Sequence, residues 1–351
     1  MKISKIPGLG RFGIFVDDLK IDDLNNDRWL LLGEEHLKNL VTIIRNIDFK
    51  DVAEYKKWIK KWGNPVYLPM LALKKKYNIK NWTALDFLKM SKEDKQYIKD
   101  VKRMVASDDG KFNSVLRVTE NKTPDNKPMG LFGSGDLEWH CNDSGLLYSI
   151  PGISLLGHQN MTNSSTGFLT TVDWYEEQSE SFWCELDSAI VIHKFYENKV
   201  DPDGQGYNDT VVSRNVFCDE NKVSYFNNDG LPEIPLVRKS VYGYTGIHLG
   251  PSCYQVVGST VKESQTFFDA IRKSLFQEKY IYRHKYQTDN DLLIFDNTIT
   301  LHNREGQTKD RLAFRIPNDY SKLRDDYNPY IQEPFKSDFT RIKEHYANIW
   351  F

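Results

Sequence analysis

Between residues 33 and 62 apolar side chains recur at helical spacing on either side of a short break near Asn46–Asp48. Leu37, Leu40, Val41, Ile43 and Ile44 predict a first helix, and Val52, Tyr55, Trp58 and Ile59 a second. Asp51 and its acidic neighbours suit the start of the second, where carboxylates meet the positive end of the helix dipole. Residues 81–105 read as a further helical stretch opening at Trp82-Thr83, with Lys and Asp on its outer face. From about residue 112 the pattern changes to short β-rich runs: SVLRVTE, ISLLGHQ, GFLTTVDW, AIVIHKF, TVVSRNVF, KVSYF, YGYTGIHL, CYQVVG, DLLIFD, ITLHN and RLAFRI. Clusters of Gly, Pro, Asn and Asp separate them, the punctuation of antiparallel sheets. One amphipathic helix, roughly 263–277, interrupts the series. The expected fold is mixed α+β and mainly β, a large β-sandwich or open barrel with helices packed on one side. It is expected to form one domain over residues 1–320, with a helical insert at about 68–110. The aromatic and charged tail 321–351 either packs on that core or serves an oligomer interface, so a homo-oligomer is compatible with the sequence.

Composition narrows the functional classes. The net charge is −2 with both signs interspersed, so no broad basic field invites nucleic acid. No segment approaches the roughly 20 apolar residues that span a bilayer, and the N-terminus lacks the apolar core of a signal peptide. The expectation is a cytoplasmic protein with no membrane partner. Cys141, Cys184, Cys218 and Cys253 are scattered, without the paired spacing of a zinc site or a disulfide framework.

Two segments carry the candidate chemistry. In GLFGSGDLEWHCNDSG (130–145), His140 lies among oxygen-bearing side chains. In DLLIFDNTITLHNREGQTKDRLAFRI (291–316), an apolar strand ends at Asp296-Asn297, a short strand delivers His302, and a last strand carries Arg311 and Arg315. Two imidazoles and an oxygen donor on one face suit non-haem Fe(II), leaving positions for a bidentate 2-oxo acid and dioxygen. The far carboxylate of such an acid needs a fixed cation, which a guanidinium matches in shape. Arg311 and Arg315 are four apart on a strand, hence on one face. His158, His193, His248 and His284 read as structural hydrogen-bonding residues.

These segments resemble the taurine dioxygenase/clavaminate synthase-like superfamily of Fe(II)/2-oxoglutarate-dependent oxygenases, over most of residues 8–318. The likeness rests on GLGRFGIFVDDLK and WGNPV, on LEWHCND, on PGISLLGHQNMTNSSTGFLTTVD and, most specifically, on DLLIFDNTITLHNR followed by DRLAFRI. It implies a double-stranded β-helix (jelly-roll) core, Fe(II) and 2-oxoglutarate as cofactor and co-substrate, dioxygen, and a small-molecule substrate. His140 and His302 would ligate iron, Arg311 would hold the distal carboxylate of 2-oxoglutarate, and Arg315 would reach an acidic group on the substrate. In the alternative assignment Arg315 holds the co-substrate and Arg311 is peripheral. Two positions depart from the family pattern. Where a carboxylate ligand is expected, two residues after His140, stands Asn142. Either its amide ligates, or a bulge brings in Asp143, or a position stays open for water or halide. The threonine expected to bond 2-oxoglutarate falls nearest Leu169, which leaves Thr170 and Thr171 as neighbours and Thr170 as the candidate. The implied reaction hydroxylates a small polar or anionic molecule while 2-oxoglutarate becomes succinate. The alternatives are a variant outcome such as halogenation, and a non-catalytic binding module on the same fold.

Overall fold

The computed structural model describes residues 1–66, 73–74, 76–79, 83–106, 115–133, 135–142, 144, 150–194, 233–306 and 308–324. In chain order, strands β1 (Lys2–Lys5) and β2 (Ile14–Asp17) precede helix α1 (Asn26–Asn39), β3 (Val41–Ile44) and α2 (Val52–Ile59). Helices α3 (Ala84–Lys89) and α4 (Lys92–Met104) lead to β4 (Leu116–Val118), β5 (Leu137–His140), β6 (Gly152–Gln159) and β7 (Ser164–Thr170). Next come α5 (Thr171–Glu176), α6 (Glu180–Ser188), β8 (Ile190–His193), β9 (Glu233–Pro235), β10 (Val237–Lys239), β11 (Thr245–Ile247) and β12 (Cys253–Val256). The series closes with α7 (Val261–Leu275), β13 (Ile281–Lys285), β14 (Leu292–Asp296), β15 (Thr300–Gly306) and β16 (Leu312–Asn318).

The architecture is mixed and rich in strands. A seven-stranded sheet runs β1-β2-β3-β14-β6-β16-β4, and a four-stranded sheet runs β13-β7-β15-β5. Smaller sheets, β12-β8-β9 and β10-β11, complete it. The pairings are antiparallel except that of β2 with β3. Strand β14 explains the uninterrupted apolar run LLIF. Its alternate residues Leu292 and Ile294 pack with Trp29, Tyr55 and Trp62 from the helical layer. Leu293 and Phe295 face the other way, and the Phe295 ring lies 5.2 Å from Phe168 of the four-stranded sheet. A strand covered on both faces has no polar side to show, so its pattern loses the period of two.

Among the described residues no helix is long and apolar enough to cross a membrane. Helix α2 begins at Asp51 as expected, with that side chain accepting from the Glu54 amide. Helix α7 starts two residues earlier than its apolar pattern suggested, under a capping box of Thr260 and Glu263. The expected stretch 81–105 is two helices, capped separately by Thr83 and Ser91.

Two expectations are corrected. The apolar run 41–44 is strand β3, because α1 ends at Leu40 with a φ of +62° and the β-branched Val-Thr-Ile-Ile that follows is buried between β2 and β14. The run GFLTTVDW is a strand only to Thr170; residues 171–176 are helical, with Trp174 buried. TVVSRNVF, KVSYF and residues 325–351 of the tail lie outside the described residues. Ahead of them Tyr320 is buried and its hydroxyl meets His36 Nε2 at 2.6 Å, tying this end of the chain to α1.

Candidate active site

His140 is the last residue of β5 and stands directly opposite His302 on β15. Directly opposed residues on one sheet face bring their side chains together, and here the ring centroids are 4.2 Å apart at 45°. His140 Nδ1 donates to the Glu138 carbonyl at 2.6 Å, which fixes the tautomer and leaves Nε2 with a bare lone pair. Burial holds His140 down at about 4, against the Glu138 bond, with Arg315 and Arg304 adding to the lowering. Burial, and then the charges of His140 and Arg315, put His302 well below the usual imidazole range. Both rings are therefore neutral at physiological pH, the form a metal takes.

Asn142 completes the edge of this pair. Its backbone N–H donates to Asn297 Oδ1 at 2.8 Å, and Asn297 Nδ2 donates to the carbonyls of Asn142 and Ile150 at 3.0 Å each. Those two carbonyls settle which way the Asn297 amide faces, so its oxygen is the acceptor presented to Asn142. Asn142 Nδ2 then sits 3.3 Å from that oxygen and donates to His302 Nε2 at 3.0 Å. His302 Nδ1 is buried without a partner among the described residues. The sequence suggested only a turn at Asp296-Asn297. Asp296 does make one, accepting from the amides of Thr298 and Ile299, while Asn297 also anchors the chain just after His140.

The two histidines and Asn142 open on a cavity of about 50 Å³. Apolar walls come from Val118, Leu137, Leu155 and Phe295, and the cationic side from Arg304, Arg311 and Arg315. Arg311 is 2% exposed; its Nε reaches only the weak acceptor Met161 Sδ at 3.4 Å, and one terminal nitrogen, Nη1, has no partner among the described residues. Beside it, 5.9 Å from the guanidinium carbon to the ring centre, is Tyr286, whose hydroxyl bonds Thr166 Oγ1 at 2.9 Å. A buried guanidinium nitrogen left unbonded is costly, and an anion at that point would satisfy it. Arg315 lines the same cavity with its guanidinium carbon 5.9 Å from the Phe132 ring centre.

Thr170 is not part of this wall. It pairs with Thr300 at the far end of β7, whereas Thr166, opposite Arg304, lines the cavity. The two threonines share a face, but four residues of strand separate them by about 13 Å. Asp143 lies outside the described residues. Sequence reasoning missed Thr166, Tyr286 and Arg304; a period-two count back from Thr170 reaches Thr166, but nothing local tells which of the two faces the arginines. Among the described residues no group of three His, Cys, Asp or Glu side chains could hold a metal ion. A metal here would rest on the two imidazole nitrogens, a neutral pair that suits Fe(II) and leaves positions for oxygen ligands, while Asn142 presents its amide nitrogen rather than its oxygen to His302.

Of known families, the model described as taurine catabolism dioxygenase TauD, TfdA family matches residues 16–316. Solved structures share the fold at low identity. AAD-2 in complex with Mn(II) and N-oxalylglycine superposes with a TM-score of 0.57 at 13% identity, over 90% of this chain and 96% of that one. A Burkholderia xenovorans protein assigned as an alpha-ketoglutarate-dependent taurine dioxygenase gives 0.58 at 14%, over 90% and 91%. A taurine dioxygenase from Burkholderia xenovorans gives 0.57 at 14%, over 90% and 88%.

Proposed function

The chain belongs to the taurine catabolism dioxygenase TauD, TfdA family and is a non-haem iron, 2-oxoglutarate-dependent dioxygenase; from that premise we propose that it hydroxylates a small polar or anionic molecule at the His140–His302 cavity. We read the two facing sheets as the halves of a jelly-roll. The observation that carries the proposal is the pairing, in one cavity, of two neutral histidines with a buried arginine, Arg311, whose Nη1 has no partner among the described residues.

In this reading His140, through Nε2, and His302 hold the iron, and Arg311 with the Thr166 and Tyr286 hydroxyls takes the distal carboxylate of 2-oxoglutarate. Arg315 meets an acidic group on the substrate. When bound, iron and 2-oxoglutarate supply the oxidation: with dioxygen, the co-substrate yields succinate and carbon dioxide, and one substrate C–H becomes C–OH. The protein's own work is placement. The Glu138 carbonyl keeps the His140 proton on Nδ1, Asn297 fixes the chain after it, and the apolar walls exclude water from the reacting carbon.

One observation favours a second reading. Asn142 is neutral where the family places a carboxylate, and Asn297 turns its amide nitrogen toward His302. A site with only neutral protein donors accepts an added anion more readily, so a halide as ligand and halogenation as outcome form the second reading. Anaerobic titration with Fe(II) and 2-oxoglutarate tests the first: a weak visible charge-transfer band is expected, and its absence at millimolar concentrations would remove the proposal. Product analysis with chloride and bromide present separates the two outcomes. Arg315→Ala is expected to weaken substrate binding; unchanged affinity would sink the acidic-substrate assignment.

A further inference from the structure

Strand β5 carries the first histidine but is poorly held by its sheet. Among the described residues it is an edge strand, paired with β15 alone, and the pairing shifts register between His302 and Arg304. Regular ladder hydrogen bonds therefore do not suffice to fix the depth of His140. The chain entering β5 is also strained at Phe132, whose φ is a left-handed +52°, and turns again at Gly135, where a φ of +84° suits glycine. For a phenylalanine that conformation is unfavourable and persists only where surroundings impose it.

Arg304 imposes it. It is two residues beyond His302 on β15, opposite Leu137 of β5, and only 4% exposed. Its Nη1 donates to the Phe132 carbonyl at 2.5 Å, and Nε and Nη2 both donate to the Gly135 carbonyl, at 3.1 and 2.6 Å. A planar fork that grips one carbonyl with two donors and a second with a third is geometry a lysine cannot copy. The same grip sets the cavity wall, since Phe132 lines the cavity against Arg315. Further ties, Leu131 N–H to the Arg117 carbonyl at 2.8 Å and Gly306 N–H to Asp136 Oδ1 at 3.1 Å, flank the grip without replacing it.

We infer that Arg304 is a positioning residue of the metal centre, which sets the place of His140 and of the Phe132 wall by clamping the carbonyls of Phe132 and Gly135. The inference rests on the reading of His140 and His302 as metal ligands. It is tested in the full chain with Arg304→Lys and Arg304→Gln, through Mn(II) affinity by electron paramagnetic resonance and amide exchange by mass spectrometry. Both variants are expected to bind Mn(II) about tenfold more weakly, as loss of a supporting residue around a metal ligand does. Exchange in peptides covering 131–140 should rise about tenfold, while peptides from β14 and β16 stay at wild-type rates. Wild-type Mn(II) affinity in Arg304→Lys would overturn the fork argument, and so would faster exchange that leaves affinity unchanged in both variants. Should the Arg304 variants not fold, Gly135→Ala carries the test. A Cβ there meets nothing within 4 Å but forces an unfavourable backbone, and it is expected to loosen the same peptides and weaken Mn(II) binding; wild-type behaviour in both overturns the inference. Failure of the wild-type protein to bind Mn(II) would instead overturn the functional reading on which the inference stands.

Discussion

Strand β15 lies between two neighbours and keeps register with β7 from Thr300 to Gly306, whereas β5 is the outer strand of the same sheet and meets β15 at two positions with a shift between them. Each delivers one histidine to the same cavity. His302 is placed by the sheet, His140 by side chains that grip the backbone around it: Arg304 before the strand and Asn297 after it. A binding centre assembled this way has one rigid half and one adjustable half. The arginines repeat the contrast, for Arg304 gives its donors to backbone carbonyls while Arg311 keeps Nη1 without a partner among the described residues.

The largest test of the contrast is packing. Phe295→Ala, in the layer between the sheets, is expected to lower stability by about 3–5 kcal/mol in urea unfolding, and Leu137→Ala on half-buried β5 by only about 1 kcal/mol. Comparable losses at the two positions would break the comparison.

Next comes the buried carboxyl at the end of β14. Burial raises Asp296 to about 7, with the Ile299 and Thr298 amides opposing the shift. Its folded pKa lies above its unfolded value, so its contribution is full below about 4 and is lost as pH rises through about 7. Asp296→Asn removes that loss, so the variant's unfolding free energy should gain on the wild type by on the order of 4 kcal/mol between pH 4 and pH 8. Parallel pH profiles for the two proteins would show that the carboxyl is not held neutral.

The arginine contrast is sharpened by Arg311→Ala. Loss of a charge-assisted pair should weaken 2-oxoglutarate binding about 30-fold in the Fe(II) titration, with Mn(II) affinity in its absence unchanged. Weakened metal binding in that variant would place Arg311 with Arg304 as a support. The smallest expected effect is Thr166→Val, about fivefold on 2-oxoglutarate affinity for one lost neutral hydrogen bond. Thr170→Val should leave that affinity at the wild-type value, and the reverse order would restore Thr170 to the cavity.

What the sequence shows plainly is the part ordered by local pattern and by resemblance. The run 291–316 announces a doubly covered strand, a histidine on the next strand and two arginines on one face of the last. The cap at Asp51 marks a helix start that the structure keeps. Unreadable features depend on which residue lies across from which. Val41–Ile44 has helical spacing and becomes a strand because β14, about 250 residues later in the chain, pairs with it. Thr166 and Thr170 have equal standing in sequence and differ only in distance along a strand from the arginines. Asn297 looks like a turn residue and Arg304 draws no attention, since their partners lie some 155 to 172 residues away.

The seven-stranded sheet also dictates when the chain can fold. Strand β14 inserts between β3 and β6, and β16 between β6 and β4, so neither early strand pair has its partner until residues 292–318 exist. On a ribosome adding about 5–20 residues per second, β3 waits tens of seconds with an apolar edge exposed. Such non-local closure is slow and open to mispairing, which makes the last third of this chain, rather than its first, the step that commits it to the native state.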